Sequence, residues 1–198
     1  YNTQGTYTII WTFDDGNGNT TTQNQTVIVD DTINPTITAP SNVATTTNTA
    51  CTATGVVLGT PTTADNCSVA SVTNNAPTSF PLGSTTVTWT VTDGSGNSAT
   101  ATQTVTVTDN IKPLVTAPNT IALQCPGELP LAATTISAFN SLAGASATDN
   151  CTATSGLTVS SSTIITTLGN CNGVITRTYI ITDANSNSQS VNQVFTIN

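Results

Sequence analysis

Thr86-Val87-Thr88-Trp89-Thr90-Val91-Thr92-Asp93-Gly94-Ser95-Gly96-Asn97 is the stretch that decides the fold. Apolar residues fall at every second position, so all of them point to one face of an extended chain. Threonine fills the other positions; it is β-branched, stiff at χ1 and uncharged, and suits the solvent face of a sheet. Asp93-Gly94-Ser95-Gly96-Asn97 then supplies residue types that tolerate positive φ and close a hairpin turn. Alternation resumes through Thr104-Val105-Thr106-Val107. Two antiparallel strands joined by a tight turn are predicted here.

The same element occurs three times. Trp11-Thr12-Phe13-Asp14-Asp15-Gly16-Asn17-Gly18-Asn19 precedes it, and Tyr179-Ile180-Ile181-Thr182-Asp183-Ala184-Asn185-Ser186-Asn187 follows it. Asp15 and Asp93 are 78 residues apart, as are Pro35 and Pro113, whereas Asp183 lies 90 residues beyond Asp93, so the last copy carries an insertion. Regular recurrence at this period indicates an array of like units. Asp30-Asp31-Thr32-Ile33-Asn34-Pro35 and Asp109-Asn110-Ile111-Lys112-Pro113 are short connectors, each ending in a proline that stops strand pairing. The matching starts Thr36-Ile37-Thr38-Ala39-Pro40 and Leu114-Val115-Thr116-Ala117-Pro118 follow them. The expected division is residues 1–31, the closing hairpin of a preceding repeat; 32–109, a full repeat; and 110–198, a repeat with an insertion.

Composition narrows the function classes. The chain has 198 residues, of which 6% are charged and 36% hydrophobic, and about a quarter are threonine. Its formal net charge is −8, with Lys112 and Arg177 the only basic side chains. Without a lysine and arginine cluster it has no means of displacing counterions from a phosphate backbone or of holding an anionic membrane surface. No segment is long and apolar enough for membrane insertion. Catalysis is not expected either: there is no histidine, no phosphate-binding glycine loop, and no facing pair of carboxylates, because Asp14 and Asp15 are adjacent and diverge.

The pattern Pro-x-Ile-Thr-x-Pro, a first cysteine, Asp-Asn-Cys, the turn Pro81-Leu82-Gly83 and a closing Val-Thr-Asp-x-x-Gly-Asn resembles the hyalin-repeat (HYR) family of immunoglobulin-like domains. Leu123-Gln124-Cys125-Pro126 and Thr176-Arg177-Thr178-Tyr179 are similar to threonine-rich repeats of large surface adhesins of gliding Bacteroidetes. The resemblance covers essentially the whole chain and specifies the fold far better than any ligand. It implies an all-β chain of tandem immunoglobulin-like β-sandwich repeats in an elongated array, extracellular and on the bacterial outer surface.

Five cysteines are present, at 51, 67, 125, 151 and 171. Asp65-Asn66-Cys67 and Asp149-Asn150-Cys151 are the same motif, so position within each repeat predicts disulfides Cys51–Cys67 and Cys125–Cys151. Zinc is disfavoured by the absence of histidine and of Cys-x-x-Cys. The family's four-cysteine form places a cysteine where this chain has Asn185, which leaves Cys171 as a free, buried thiol; reactive or interchain use is the alternative.

Connector and turn aspartates, Asp15, Asp30, Asp31, Asp93 and Asp109, are candidate calcium ligands, since calcium takes six to eight oxygens with carboxylates among them. The competing reading is that aspartate and asparagine are there as turn formers capping their own backbone. Asp65 and Asp149 are expected to hold their loops through backbone hydrogen bonds. Function is then expected to be mechanical, a stalk or filament segment of an adhesin for surface adhesion or gliding motility, whose partners are neighbouring repeats and an external surface, glycan or protein. A carbohydrate- or protein-binding module is the alternative, and ice binding through threonine rows a third.

Overall fold

The computed structural model describes residues 3–124, 126–165 and 173–197. Strands dominate it. The first hairpin pairs β1 (Gly5–Asp14) with β2 (Thr20–Val29), antiparallel from Gly5 opposite Val29 to Asp14 opposite Thr20. Eight strands follow: β3 (Thr36–Thr38), β4 (Val43–Thr46), β5 (Thr52–Thr54), β6 (Thr62–Ala64), β7 (Val69–Asn74), β8 (Ser79–Pro81), β9 (Gly83–Asp93) and β10 (Ser98–Thr108). Their sheets run β4-β10-β9-β7, β3-β6 and β5-β8. The last part contains β11 (Leu114–Thr116), β12 (Ile121–Leu123), helix α1 (Ile136–Asn140), β13 (Ser146–Thr148), β14 (Thr158–Ile165), β15 (Gly173–Thr182) and β16 (Ser188–Ile197). There β12-β16-β15-β14 repeats the order of the earlier four-stranded sheet, and β11-β13 repeats β3-β6. The all-β class expected from alternation is the class observed.

Contacts divide the chain into two compact units. The first runs up to Val43 and takes in 57–77 and 85–105; the second takes in 44–56, 78–84 and the described residues from 106 onward.

In the first unit the predicted alternation is the burial pattern. Val87, Trp89, Val91 and Val105 are buried, and the threonines between them are not. Gln103 is also buried, at 1% exposure, and fully engaged: it accepts from Trp89 Nε1 at 3.1 Å and donates to the carbonyls of Ser41 and Leu58 at 2.7 and 2.8 Å. A buried amide costs free energy unless bonded in this way. In the first hairpin the same pair recurs as Trp11 and Gln25, bonded at 2.9 Å, but there Trp11 is exposed.

In the second unit the insertion forms part of the core. Thr135 accepts from Ala138 N at 3.2 Å and caps α1, whose Ile136 and Phe139 pack with Ala133, Ala147, Leu157, Tyr179 and Ile181. Phe139 meets Tyr179 edge to face, with centroids 5.2 Å apart. A second cluster joins Leu123, Ile175, Phe195 and Ile197, across the parallel pairing of β12 with β16. Arg177 is buried over the Phe195 ring, donating to Pro130 O at 2.7 Å and Thr163 Oγ1 at 3.3 Å.

Candidate cation sites and the disulfide

Two groups of three aspartates stand out, each within its own unit. Asp31, Asp65 and Asp93 form one, and Asp109, Asp149 and Asp183 the other; in each, one carboxylate oxygen from every member lies within 4.8 Å of the rest. Both draw one residue from a connector, one from an Asp-Asn-Cys turn and one from a hairpin turn.

Local structure fixes each carboxylate. Asp65 Oδ2 accepts from the N–H groups of Cys67 and Ser68, both at 2.9 Å, and Asp149 Oδ2 does the same with Cys151 and Thr152 at 2.9 and 2.8 Å. This is the loop-holding role expected of Asp65 and Asp149, and it uses one oxygen of each. Asp93 Oδ1 accepts from Ser95 N and Asn97 N at 2.8 Å, and its Oδ2 from Asn97 Nδ2 at 2.8 Å. Asp183 is held identically by Asn185 N, Asn187 N and Asn187 Nδ2. Desolvation opposes ionisation of Asp93, but the hydrogen bonds from Asn97, Ser95 and Gly96 outweigh it and hold the carboxyl below its ordinary value.

The connector aspartates complete the groups. Asp31 Oδ1 accepts from Ile33 N at 3.1 Å and Asn66 Nδ2 at 3.2 Å, while Asn97 Nδ2 donates to its carbonyl at 3.0 Å. Asp109 has the same three partners in Ile111, Asn150 and Asn187, at 3.1, 3.3 and 3.2 Å. It gains two more: Thr47 Oγ1 donates to Oδ1 at 3.4 Å and Asn185 Nδ2 to Oδ2 at 3.3 Å. Asp31 Oδ2, Asp65 Oδ1 and Asp149 Oδ1 are buried without a hydrogen-bond partner. Among the described residues no basic side chain pairs with either group, although both are rich in negative charge.

Of the five aspartates expected to bind calcium, Asp31, Asp93 and Asp109 thus enter a group and Asp15 and Asp30 lie outside both. Asp15 is exposed and caps its own turn through Asn17 N, Asn19 N and Asn19 Nδ2. Those bonds, the Asn19 side chain first, hold its carboxyl below the ordinary value. Asp65 and Asp149 are the ligand candidates that sequence reasoning assigned to loops alone. The available signal was that each precedes Asn-Cys in both repeats at equivalent places.

The disulfide expectation is corrected. Cys51 bonds to Cys151, with Cα atoms 4.7 Å apart and 100 residues between them in sequence. Neither Cys51–Cys67 nor Cys125–Cys151 can then form, because both sulfurs are already used; Cys67 is a free, exposed thiol. The cause is the tight turn at Thr49–Thr52, with Ala50 at φ 48°, which presents Cys51 to the Asp149–Thr152 turn. There Asn150 Nδ2 donates to Ala50 O at 3.1 Å. The flanks carried a warning: Thr49-Ala50-Cys51-Thr52 does not match Gln124-Cys125-Pro126, so the first cysteines of the two repeats are not equivalent. Cys125 and Cys171 lie outside the described residues. Desolvation, then the neighbouring Asp31 carboxylate, raise the Cys67 thiol above its ordinary value.

Among the described residues no helix is long and apolar enough to cross a membrane. No curated protein matches the chain. Among solved structures it is similar to protocadherin gamma B7 extracellular cadherin domains 1–4, at 12% identity over 98% of this chain and 57% of that one, with a TM-score of 0.39. It is also similar to protocadherin gamma B2 domains 3–6, at 13% identity over 96% and 59%, TM-score 0.43, and to mouse clustered PcdhgC3 EC1-3, at 13% over 98% and 76%, TM-score 0.32. The chain therefore spans under three-fifths of the first of these structures. A family model for the HYR domain matches residues 30–107, the stretch that holds the whole first aspartate group.

Proposed function

We propose that this chain is a structural segment of a secreted, repetitive bacterial cell-surface adhesin, a stalk or filament of tandem immunoglobulin-like repeats that serves surface adhesion or gliding motility. Its repeats divide at 1–31, 32–109 and 110–198, and calcium is the cofactor suited to so acidic a chain. One observation carries the reading: the same sheet order and the same three-aspartate group occur twice, from residues at equivalent places in successive repeats. Duplication of one structural unit, with no catalytic constellation among the described residues, is what a spacer needs. Its partners are neighbouring repeats and an external surface, and it has no nucleic-acid or membrane-inserting role.

Single-molecule stretching of the chain tests this. Under oxidising conditions the 100-residue span closed by Cys51–Cys151 stays locked; reduction should add roughly 35 nm of contour length. Discrete unfolding peaks are expected, and featureless extension would reject a mechanical role.

A binding module is the second reading, favoured by Trp11 and Phe13, both about half exposed, with Gln23, Asn24 and Gln25 beside them. Aromatic faces flanked by amides suit a carbohydrate. Saturable glycan-array binding that Trp11→Ala abolishes would move the assignment to that class.

A further inference from the structure

We propose that Asp31, Asp65 and Asp93 form a divalent-cation site selective for calcium. Such a site depends on the three carboxylates alone and is independent of the stalk reading. They converge to within 4.8 Å, no basic side chain of the described residues neutralises them, and two of their oxygens are left over. Asp31 is 8% exposed, and its Oδ2 is buried without a hydrogen-bond partner; Asp65 Oδ1 is buried and equally without one. A buried acceptor is ordinarily paired, and an orphan asks for an unseen partner. The nearby Cys67 thiol is a weak donor and brings no positive charge. A cation supplies both the missing partner and the missing charge.

The donor set selects the ion. Every converging ligand is a carboxylate oxygen, the hard donor that calcium and magnesium share. Magnesium demands a near-ideal octahedron at short distances, whereas calcium accepts an irregular shell completed by water. Three carboxylates from three separate chain segments, each already fixed by its own turn, make an irregular shell. The preparation is also in place: Asn66 and Asn97 bridge the segments, so the carboxylates are positioned before an ion arrives. In the other group Asn185 Nδ2 donates to Asp109 Oδ2, the atom corresponding to the unpartnered oxygen of Asp31, so the first group keeps two unpartnered carboxylate oxygens where the second keeps only that of Asp149.

The experiment is calorimetric titration of the chelator-stripped chain with calcium chloride, with magnesium chloride in parallel. Asp31→Asn and Asp65→Asn should each weaken the strongest calcium event by more than about a hundredfold, beyond the roughly ten- to hundredfold that loss of a supporting residue costs. Asp65→Asn keeps an oxygen for the Cys67 and Ser68 N–H groups and so preserves the turn even where Asp31→Asn does not fold. Asp15→Asn should leave the isotherm unchanged, and calcium should bind more tightly than magnesium. An isotherm without saturable calcium heat, or one that Asp65→Asn leaves as in the parent, overturns the proposal; loss of the event in Asp65→Asn alone sustains it. Neither outcome touches the stretching result, so the two readings fail separately.

Discussion

Asp31 and Asp109 occupy the same place in successive repeats and meet the same turn types, yet their surroundings differ. Asp109 has both carboxylate oxygens engaged, by Thr47 and Asn185, and the adjoining Asp-Asn-Cys turn is tied through Cys151 to Cys51, which leaves Asp149 Oδ1 as that group's one unpartnered carboxylate oxygen. Around Asp31 the adjoining turn ends in the free thiol of Cys67, and one carboxylate oxygen has no partner. One motif therefore serves two kinds of fastening. Where the cysteine is bonded, covalent closure and side-chain amides hold the segments; where it is free, the same carboxylates are left for an ion. The difference rests on few residues, chiefly Asn185 against Ser95, Thr47, and the loop bearing Cys51.

Breaking the covalent side gives the largest effect. Cys151→Ser should cost up to about 4–5 kcal/mol of unfolding free energy, the chain-entropy value for a loop of 100 residues. Cys67→Ser should cost almost nothing. Denaturant midpoints of both variants, with and without reductant, check this; an equal loss in Cys67→Ser would erase the contrast. Next, Asn185→Ser gives the second group the residue found in the first and frees Asp109 Oδ2. Calcium affinity there should rise about tenfold, since a charge-assisted hydrogen bond of about 1.5 kcal/mol no longer has to break. An unaltered titration would remove Asn185 from the explanation.

A smaller effect concerns the turns. Gly18 and Gly96 take φ 89° and 92°, and Ser186 takes φ 71° at the same place in the third copy. A side chain in that region is strained, so Ser186→Gly should raise stability by about 0.5–1 kcal/mol after the entropy cost of glycine. Thermal unfolding measures it. The smallest effect isolates a turn that belongs to no group. Asp15 has its carboxyl lowered from 3.8, so its contribution is present above that value and lost as pH falls through the folded one. Asp15→Asn should therefore unfold slightly earlier than the parent near neutrality and match it well below pH 3.8.

Much of the fold was legible because period-two alternation translates directly into burial. The threonine and valine sequence of β9 and β10 already states which side chains are inside. The insertion was visible only as extra length, since a single turn of helix such as Ile136–Asn140 leaves too short a period to read. For the candidate site, connector and turn aspartates were recognisable, but Asp65 and Asp149 looked spent on their loops. A carboxylate has two oxygens, and sequence does not tell which way the second one faces. The cysteines failed for a related reason: the pairing was taken from position within a repeat, whereas a disulfide follows the distance between Cα atoms, and the turn at Thr49–Thr52 sets that distance.

The contrast between closed and open fastening depends first on which cysteines are joined. Peptide mapping of the non-reduced protein by mass spectrometry, after alkylation of free thiols, decides it. The expected products are a cross-linked peptide containing Cys51 and Cys151 and an alkylated Cys67; a peptide joining Cys51 to Cys67 would contradict the account.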